Sequence, residues 1–284
     1  MVGLLLSILF FWAYLSLVAA GLQFIYGSAR VLNLAHASFF VLGGYLASYL
    51  SNFLSWPLPA SVAAASAAGA AAGLVLYIAL ARISDEVDQL VFTYSVFWLF
   101  EAFFRGVFGY GLYSTADTAA RLGVLTLGDQ RVPVANLVGV ASVVAVFAAL
   151  YFVMSKTTFG MFLRAVVDNP PAAEAFGVPL RRVVALGVAL GSALAAFGGS
   201  ISSMWQNFNV GLAGVVLVYA FAAVAVGGLG NVFGALAASF IISLVRALAV
   251  YYFPEVELFA IYLVVLTVLT LRPSGLFVRY ERRV

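Results

Sequence analysis

The sequence predicts an all-α polytopic membrane protein with about eight to ten transmembrane helices, some of them broken by glycine. Three observations carry that reading. The 284 residues are 65% hydrophobic and only 9% charged, with a mean hydropathy of +1.11, whereas a soluble domain carries about a quarter charged residues. The apolar stretches reach full span length, about 20 residues each. They lack the strand alternation of a membrane barrel. The chain has no cysteine, which excludes disulfides and thiolate metal sites. A net charge of +3 is too small to point to nucleic acid, and the basic residues sit near span ends. We read 1–284 as one transmembrane domain carrying a polar loop at 156–182.

In order, the first span covers about 4–22. Its apolar core and Val18-Ala19-Ala20 end resemble a signal sequence, but no Lys or Arg precedes it, as a signal peptide requires, so it is read as retained. A short turn with Gly27 and Arg30 leads to span 2 at 31–50, then an interfacial loop at 51–59. Span 3, at 60–81, places Gly69 and Gly73 four residues apart, a small-xxx-small face for close packing. A polar, acidic loop at 82–89 precedes span 4 at 90–109. That span holds Glu101 and Arg105 at i, i+4, most simply a mutually neutralising pair. Residues 110–133 read as an external hairpin or loop. Span 5 covers 134–155, span 6 183–205, span 7 216–227, span 8 232–252 and span 9 258–271, with a tight acidic turn at 254–257. A basic tail follows Arg272-Pro273. Nine spans are counted, with span 7 short and span 2 open to a break.

The segment 156–182 stands apart. It holds six charged residues and three of the eight prolines, between a stretch at 132–155 and one at 183–245 that carry no charge at all. Asn169 suits an N-cap and Pro170 the first helical position, where its missing N–H costs nothing. The residue before a proline is pushed out of the α region, so the preceding helix should stop by about Asp168. Gly177 then supplies a left-handed stop. The expected product is a two-turn helix held in water at one membrane face; an ordinary capped loop is the plainer alternative. Setting this segment in the cytoplasm places ten of the fourteen basic residues there (Arg30, Arg82, Lys156, Arg164, Arg181, Arg182, Arg272, Arg279, Arg282 and Arg283), as the positive-inside rule asks. The C-terminus is then cytoplasmic, and an odd span count puts the N-terminus outside.

Two apolar segments are interrupted by glycine, 21–50 and 220–238. Irregular backbone at membrane depth is tolerated only where protein or a water-filled cavity covers it. In transporters such breaks often occupy matching positions of two repeats, although this sequence shows no strong repeat; glycines that merely let helices approach are the alternative. His36 is the only histidine, and Asn33 three residues earlier is expected on the same helical face. An intramembrane histidine is either a proton relay or a hydrogen-bonding partner for a neighbouring helix. It has no second ligand for a metal.

Several chemistries are missing. No G-x-x-x-x-G-K-[ST] exists, and the single lysine, Lys156, lies in no glycine-rich loop, so the chain has no ATPase site of its own. No G-x-S-x-G or H-E-x-x-H occurs. Gly228-Leu229-Gly230-Asn231 is similar to the G-x-G-D of intramembrane aspartyl proteases, but asparagine stands where the aspartate is needed. The protein is therefore read as no enzyme, with no metal and no cofactor.

Tyr26-Gly27, then Arg30-Val31-Leu32-Asn33-Leu34-Ala35-His36 and Gly43-Gly44-Tyr45, resemble a stretch of the branched-chain amino acid ABC permeases, specifically their LivH-type subunit. Further matches follow in order. Gly160 with Leu163-Arg164-Ala165 and Ala173-Glu174-Ala175-Phe176-Gly177 resembles the family's cytoplasmic loop, and Gly198-Gly199 ends span 6 as the family does. Val226-Gly227-Gly228-Leu229-Gly230 with Gly234-Ala235 resembles its glycine break, and Arg272-Pro273-Ser274-Gly275-Leu276-Phe277 its close. Ala37, the acidic Asp85, Glu86 and Asp88, and the aromatic span 4 depart from the pattern.

The resemblance implies an ABC importer permease fold in the plasma (inner) membrane. It implies a pore formed with a LivM-type subunit, two ATP-binding subunits that hold the ATP, and an extracytoplasmic solute-binding protein that delivers branched-chain amino acids. Arg164, Asn169, Pro170, Ala173, Glu174, Gly177 and Arg181 are then expected to couple to the ATPase. Asn33, His36, Ser38, Gly43 and Gly44 are expected along the translocation pathway, and Gly227, Gly228 and Gly230 at a helix break. Urea and short amides are carried by close relatives and stay open as substrates. An ion-coupled secondary transporter is the second class, disfavoured because Glu101 is the one acid inside a span; a membrane scaffold is the third.

Overall fold

A computed structural model describes residues 2–277. Its helices are α1 (Val2–Ala29), α2 (His36–Asn52), α3 (Leu58–Leu80), α4 (Glu86–Phe108), α5 (Ala116–Ala120), α6 (Val134–Lys156), α7 (Thr158–Asp168), α8 (Pro170–Ala175), α9 (Leu180–Ser202), α10 (Leu212–Gly227), α11 (Val232–Tyr252) and α12 (Glu257–Leu271). Two short antiparallel strands, β1 (Val124–Leu127) and β2 (Gln130–Pro133), form the hairpin expected within 110–133. Among the described residues seven helices are long and apolar enough to cross a membrane, α12 being counted with the 3-10 turn Pro254–Val256 ahead of it. The 17-residue α2 and 16-residue α10 are shorter. Each of the nine stretches counted from the sequence corresponds to one helix. The basic tail residues Arg279, Arg282 and Arg283 lie outside the described residues.

α9 is the axis of the bundle, with α1, α2 and α3 packed around it. Small residues permit this. A methyl at Gly69 or Gly73 of α3 would run into Ala196 or Ser192 of α9, and one at Gly43 into the Ala196 backbone. A methyl at Gly199 would run into the Phe40 carbonyl. Close backbone approach gives dispersion contact where lipid offers no hydrophobic drive. The 69/73 face is thus used as expected. Gly43 and Gly44, by contrast, do not break a helix: both lie inside α2.

Four boundaries differ from the sequence reading. α1 continues to Ala29 and takes Gly27 with it, since a small residue against α7 does not interrupt a well-packed helix. α2 starts only at His36. α4 begins at Glu86, because Asp85 caps it by accepting from Val87 N at 2.9 Å and Asp88 N at 3.1 Å. The acidic residues read as a loop therefore form a first turn, where the helix dipole favours them. α10 starts at Leu212, four residues early. One expected pair is also replaced. Glu101 is buried and its Oε2 accepts from Gly211 N at 3.0 Å, at the N-terminus of α10. The exposed Arg105 lies over the Tyr110 ring, 5.8 Å from its centroid. A backbone donor at a positive helix end holds the carboxylate better than an exposed guanidinium does.

Candidate functional site

Two interruptions of helix lie at one end of the bundle, both against α1. The first is 30–35, between α1 and α2. Arg30 turns the chain with φ +55°, a left-handed conformation that costs a non-glycine residue about 1–2 kcal/mol. Asn33 then accepts from Ala35 N through Oδ1 at 3.0 Å, and its carbonyl accepts His36 N at 3.2 Å. Asn33 is therefore not on a helical face with His36; it turns the chain into α2. The His36 ring lies against Gly21, and Nε2 donates to the Val18 carbonyl at 2.9 Å. A carbonyl only accepts, so this contact puts the ring proton on Nε2. Asn33 Nδ2, His36 Nδ1 and Ser38 Oγ are buried without a protein partner. All three are fully buried, but only Asn33 and His36 meet at the break; Ser38, two residues on in α2, lies on a different face of that helix.

The second interruption is 228–230, between α10 and α11. Gly227 closes α10, and Gly228 and Gly230 take φ +91° and +82°. Asn231 caps α11 by accepting Gly234 N at 2.9 Å. Gln23 of α1 holds this break from the side: its Nε2 donates to the Gly228 carbonyl at 2.7 Å and its Oε1 accepts from Gly230 N at 2.6 Å. One amide thus replaces two backbone bonds that the helix gave up. From the other side, Leu276 N donates to the Val226 carbonyl at 2.9 Å and Asn231 Nδ2 to Phe277 O at 3.0 Å. The Arg272–Phe277 close and the glycine break, distant in sequence, are one structure. Gln23 was missed by the sequence reading; a lone amide in an otherwise apolar span was the available signal.

The polar segment is built largely as its sequence demands. Thr157 caps α7 by accepting Gly160 N at 3.2 Å, and Arg164 donates to the Met154 carbonyl. Asn169 caps α8 by accepting Ala172 N at 3.1 Å, with Pro170 first in the helix. Gly177, at φ +82°, donates to the Glu174 carbonyl at 2.9 Å and Val178 N to the Ala173 carbonyl at 3.0 Å, a Schellman stop. Ala173 is buried and seats the helix, while Glu174 and Ala175 point outward and Phe176 is 89% exposed. Arg181 takes part through its carbonyl, which accepts the Tyr77 hydroxyl at 3.1 Å. The segment meets the first break directly, for Arg30 Nη2 donates to the Val167 carbonyl at 3.0 Å.

A family model described as "Branched-chain amino acid transport system / permease component" matches residues 4–271. The chain belongs to that family. It is 25% identical over 246 residues to a protein of Methanocaldococcus jannaschii described as "Probable branched-chain amino acid transport permease protein LivH", an alignment covering 84% of this chain and 78% of that one. A solved structure described as "PsaBC from Streptococcus pneumoniae in complex with Fab" aligns over 92% of this chain and 87% of its own, at 12% identity and a TM-score of 0.49. With its apolar helices, the protein is a multi-pass membrane permease of the ABC-transport class.

In this permease the charged groups inside the spans are few and held. Arg246 of α11 lies 2.8 Å from Glu257 at the start of α12, and its guanidinium sits 4.2 Å from the Phe11 ring centroid. The Tyr219 hydroxyl donates to the same carboxylate. Among the described residues no three His, Asp or Glu side chains come together as a metal site. The permease also has an apolar cavity of about 490 Å³ between α3, α6 and α9, bounded by Val62, Val138 and Phe197 among others. It touches neither helix break.

Proposed function

We propose that this permease is one transmembrane subunit of an ATP-driven importer for branched-chain amino acids in the plasma membrane, with the 156–182 segment and the C-terminus in the cytoplasm. It pairs with a LivM-type subunit, receives substrate from an extracytoplasmic solute-binding protein, and draws energy from two ATP-binding subunits. The observation that carries the reading is α8. This helix is capped at both ends by its own sequence, seated on Ala173, and presents Glu174 and an 89% exposed Phe176 to the outside. A rigid, prepaid conformation with an apolar side chain at its tip is what a partner groove can grip without ordering cost. Absence of a nucleotide-binding motif in the sequence supports an external energy source.

In mechanism, closure of the ATP-binding subunits would press on α8 and α7. α6 and α9, which flank the segment, would act as levers. The two interrupted stretches at 30–35 and 228–230 are the places where the backbone can change direction without tearing a continuous helix. Asn33, His36 and Ser38 are buried in the described conformation, and their unpartnered polar atoms would be exposed when the break opens. The test is uptake of radiolabelled L-leucine by proteoliposomes holding the complete complex. Uptake that needs ATP and the binding protein is expected; uptake driven by an ion gradient alone overturns the reading. Urea or acetamide transported in preference to leucine would keep the machine and change its substrate.

A further inference from the structure

We infer that Arg30 is a positioning residue that ties the end of α7 to the break between α1 and α2, so that movement of the 156–182 segment reaches Asn33 and His36. This rests on the coupling role proposed for that segment. The carbonyl that Arg30 meets is one the chain cannot satisfy locally. Val167 lies in the last turn of α7, its helical donor four residues on would be Pro171, which has no N–H, and the helix breaks at Asn169 in any case. The guanidinium supplies the missing donor at 3.0 Å and places positive charge at a helix C-terminus, where the dipole favours it. Gly27, less than one turn earlier, faces the same residue: a methyl there would meet Val167 Cγ2 at 3.4 Å, an ordinary van der Waals contact.

The stretch beyond Arg30 is held by a different element. Thr93 of α4 accepts Leu34 N at 3.3 Å through Oγ1, while its one hydroxyl proton goes to the Leu90 carbonyl of its own helix at 3.0 Å rather than to the Leu32 carbonyl at 3.4 Å. Residues 30–34 are thus held at two points, by α7 at Arg30 and by α4 at Leu34. Any displacement of α7 relative to α4 must be absorbed by the backbone between them, where no helical bonds resist it. Arg30 already holds a left-handed conformation there. The surroundings leave room for the change, because Arg30 lines both a cavity of about 220 Å³ reaching Pro170 and Leu180 and one of about 410 Å³ reaching Glu86. A residue that merely capped α7 would not need to sit in a strained backbone between two open spaces.

Arg30→Gly separates the roles. Glycine adopts φ +55° without strain, so the break keeps its shape while the tie is lost. The whole complex, purified through a tag on this chain and reconstituted, is assayed for ATP hydrolysis and L-leucine uptake. Wild type gives ATP-driven uptake. Arg30→Gly is expected to assemble and hydrolyse ATP, but to take up about three- to fivefold less leucine per ATP, the scale of one solvent-exposed hydrogen bond from a charged donor. Arg30→Lys, with a point charge of similar reach, recovers part of the ratio. An unchanged leucine-to-ATP ratio in Arg30→Gly, with or without a lower thermal midpoint, would show a purely structural cap and overturn the inference. Failure of the wild-type complex to couple leucine uptake to ATP overturns the importer reading instead, and this inference with it.

Discussion

Gln23 shows what a single side chain does in an apolar span. Its amide occupies both the carbonyl of Gly228 and the N–H of Gly230, so Gln23→Leu leaves a buried carbonyl and a half-buried N–H unsatisfied. Each costs about 1–3 kcal/mol. The expected outcome is a marked fall in the thermal midpoint of the purified permease. Equal stability of wild type and Gln23→Leu would mean that water replaces the amide and the clasp is incidental. At this scale the sequence was legible where chemistry is local and silent where it is not. Asn169, Pro170 and Gly177 act on neighbours within a few residues, and each does what its position implied. Gln23 acts across more than two hundred residues, and Glu101 across 110 to Gly211. No spacing rule reaches that far, which is why Glu101 was paired with the nearer Arg105.

Among the elements, α8 is the most fully specified by its own residues, and its stop is its most sensitive point. Gly177→Val puts a β-branched side chain at φ +82°, a strain of at least about 1–2 kcal/mol that the short helix relieves by unwinding its last turn. Glu174→Lys leaves the helix intact and reverses an exposed charge. Both variants are expected to insert and assemble normally but to hydrolyse ATP with little leucine uptake, measured side by side in proteoliposomes. Full coupled transport in both would remove α8 from the coupling path. The helix breaks were only half legible for a related reason. The glycines at 228 and 230 announce their own positive φ, so that break was located from sequence. At 30–35 the glycines nearby, Gly27 and Gly43, are helical, and the turn is made by Arg30, tied to α7, and by the stretch up to Leu34, tied to α4, which is tertiary context overriding local preference.

At the scale of the whole molecule, the order of spans was legible because each is a long apolar run bounded by prolines, glycines or charge, and α9 could not be picked as the axis because all runs look alike to hydropathy. Small residues on α1, α2 and α3 that face α9 set that arrangement. Sidedness follows from where charge gathers rather than from packing. Arg30 touches Val167, and one cavity joins Arg30, Ala81, Pro170 and Leu180, so the turn after α3 that carries Arg82, the polar segment and the end of α1 share one end of the bundle. The β1–β2 hairpin lies near the start of α1, where Gly3 approaches Gln130, at the opposite end. With no native cysteine in the chain, this arrangement gives a clean test. Asp129→Cys in the hairpin turn is expected to react with a membrane-impermeant maleimide in intact cells. Ala175→Cys on α8 is expected to react only after the membrane is opened. The basic end would have to work against the positive-inside bias, on the order of several residues deep, for the pattern to reverse. A reversed pattern would put α8 beyond the reach of any cytoplasmic ATPase and end the importer reading without a transport assay.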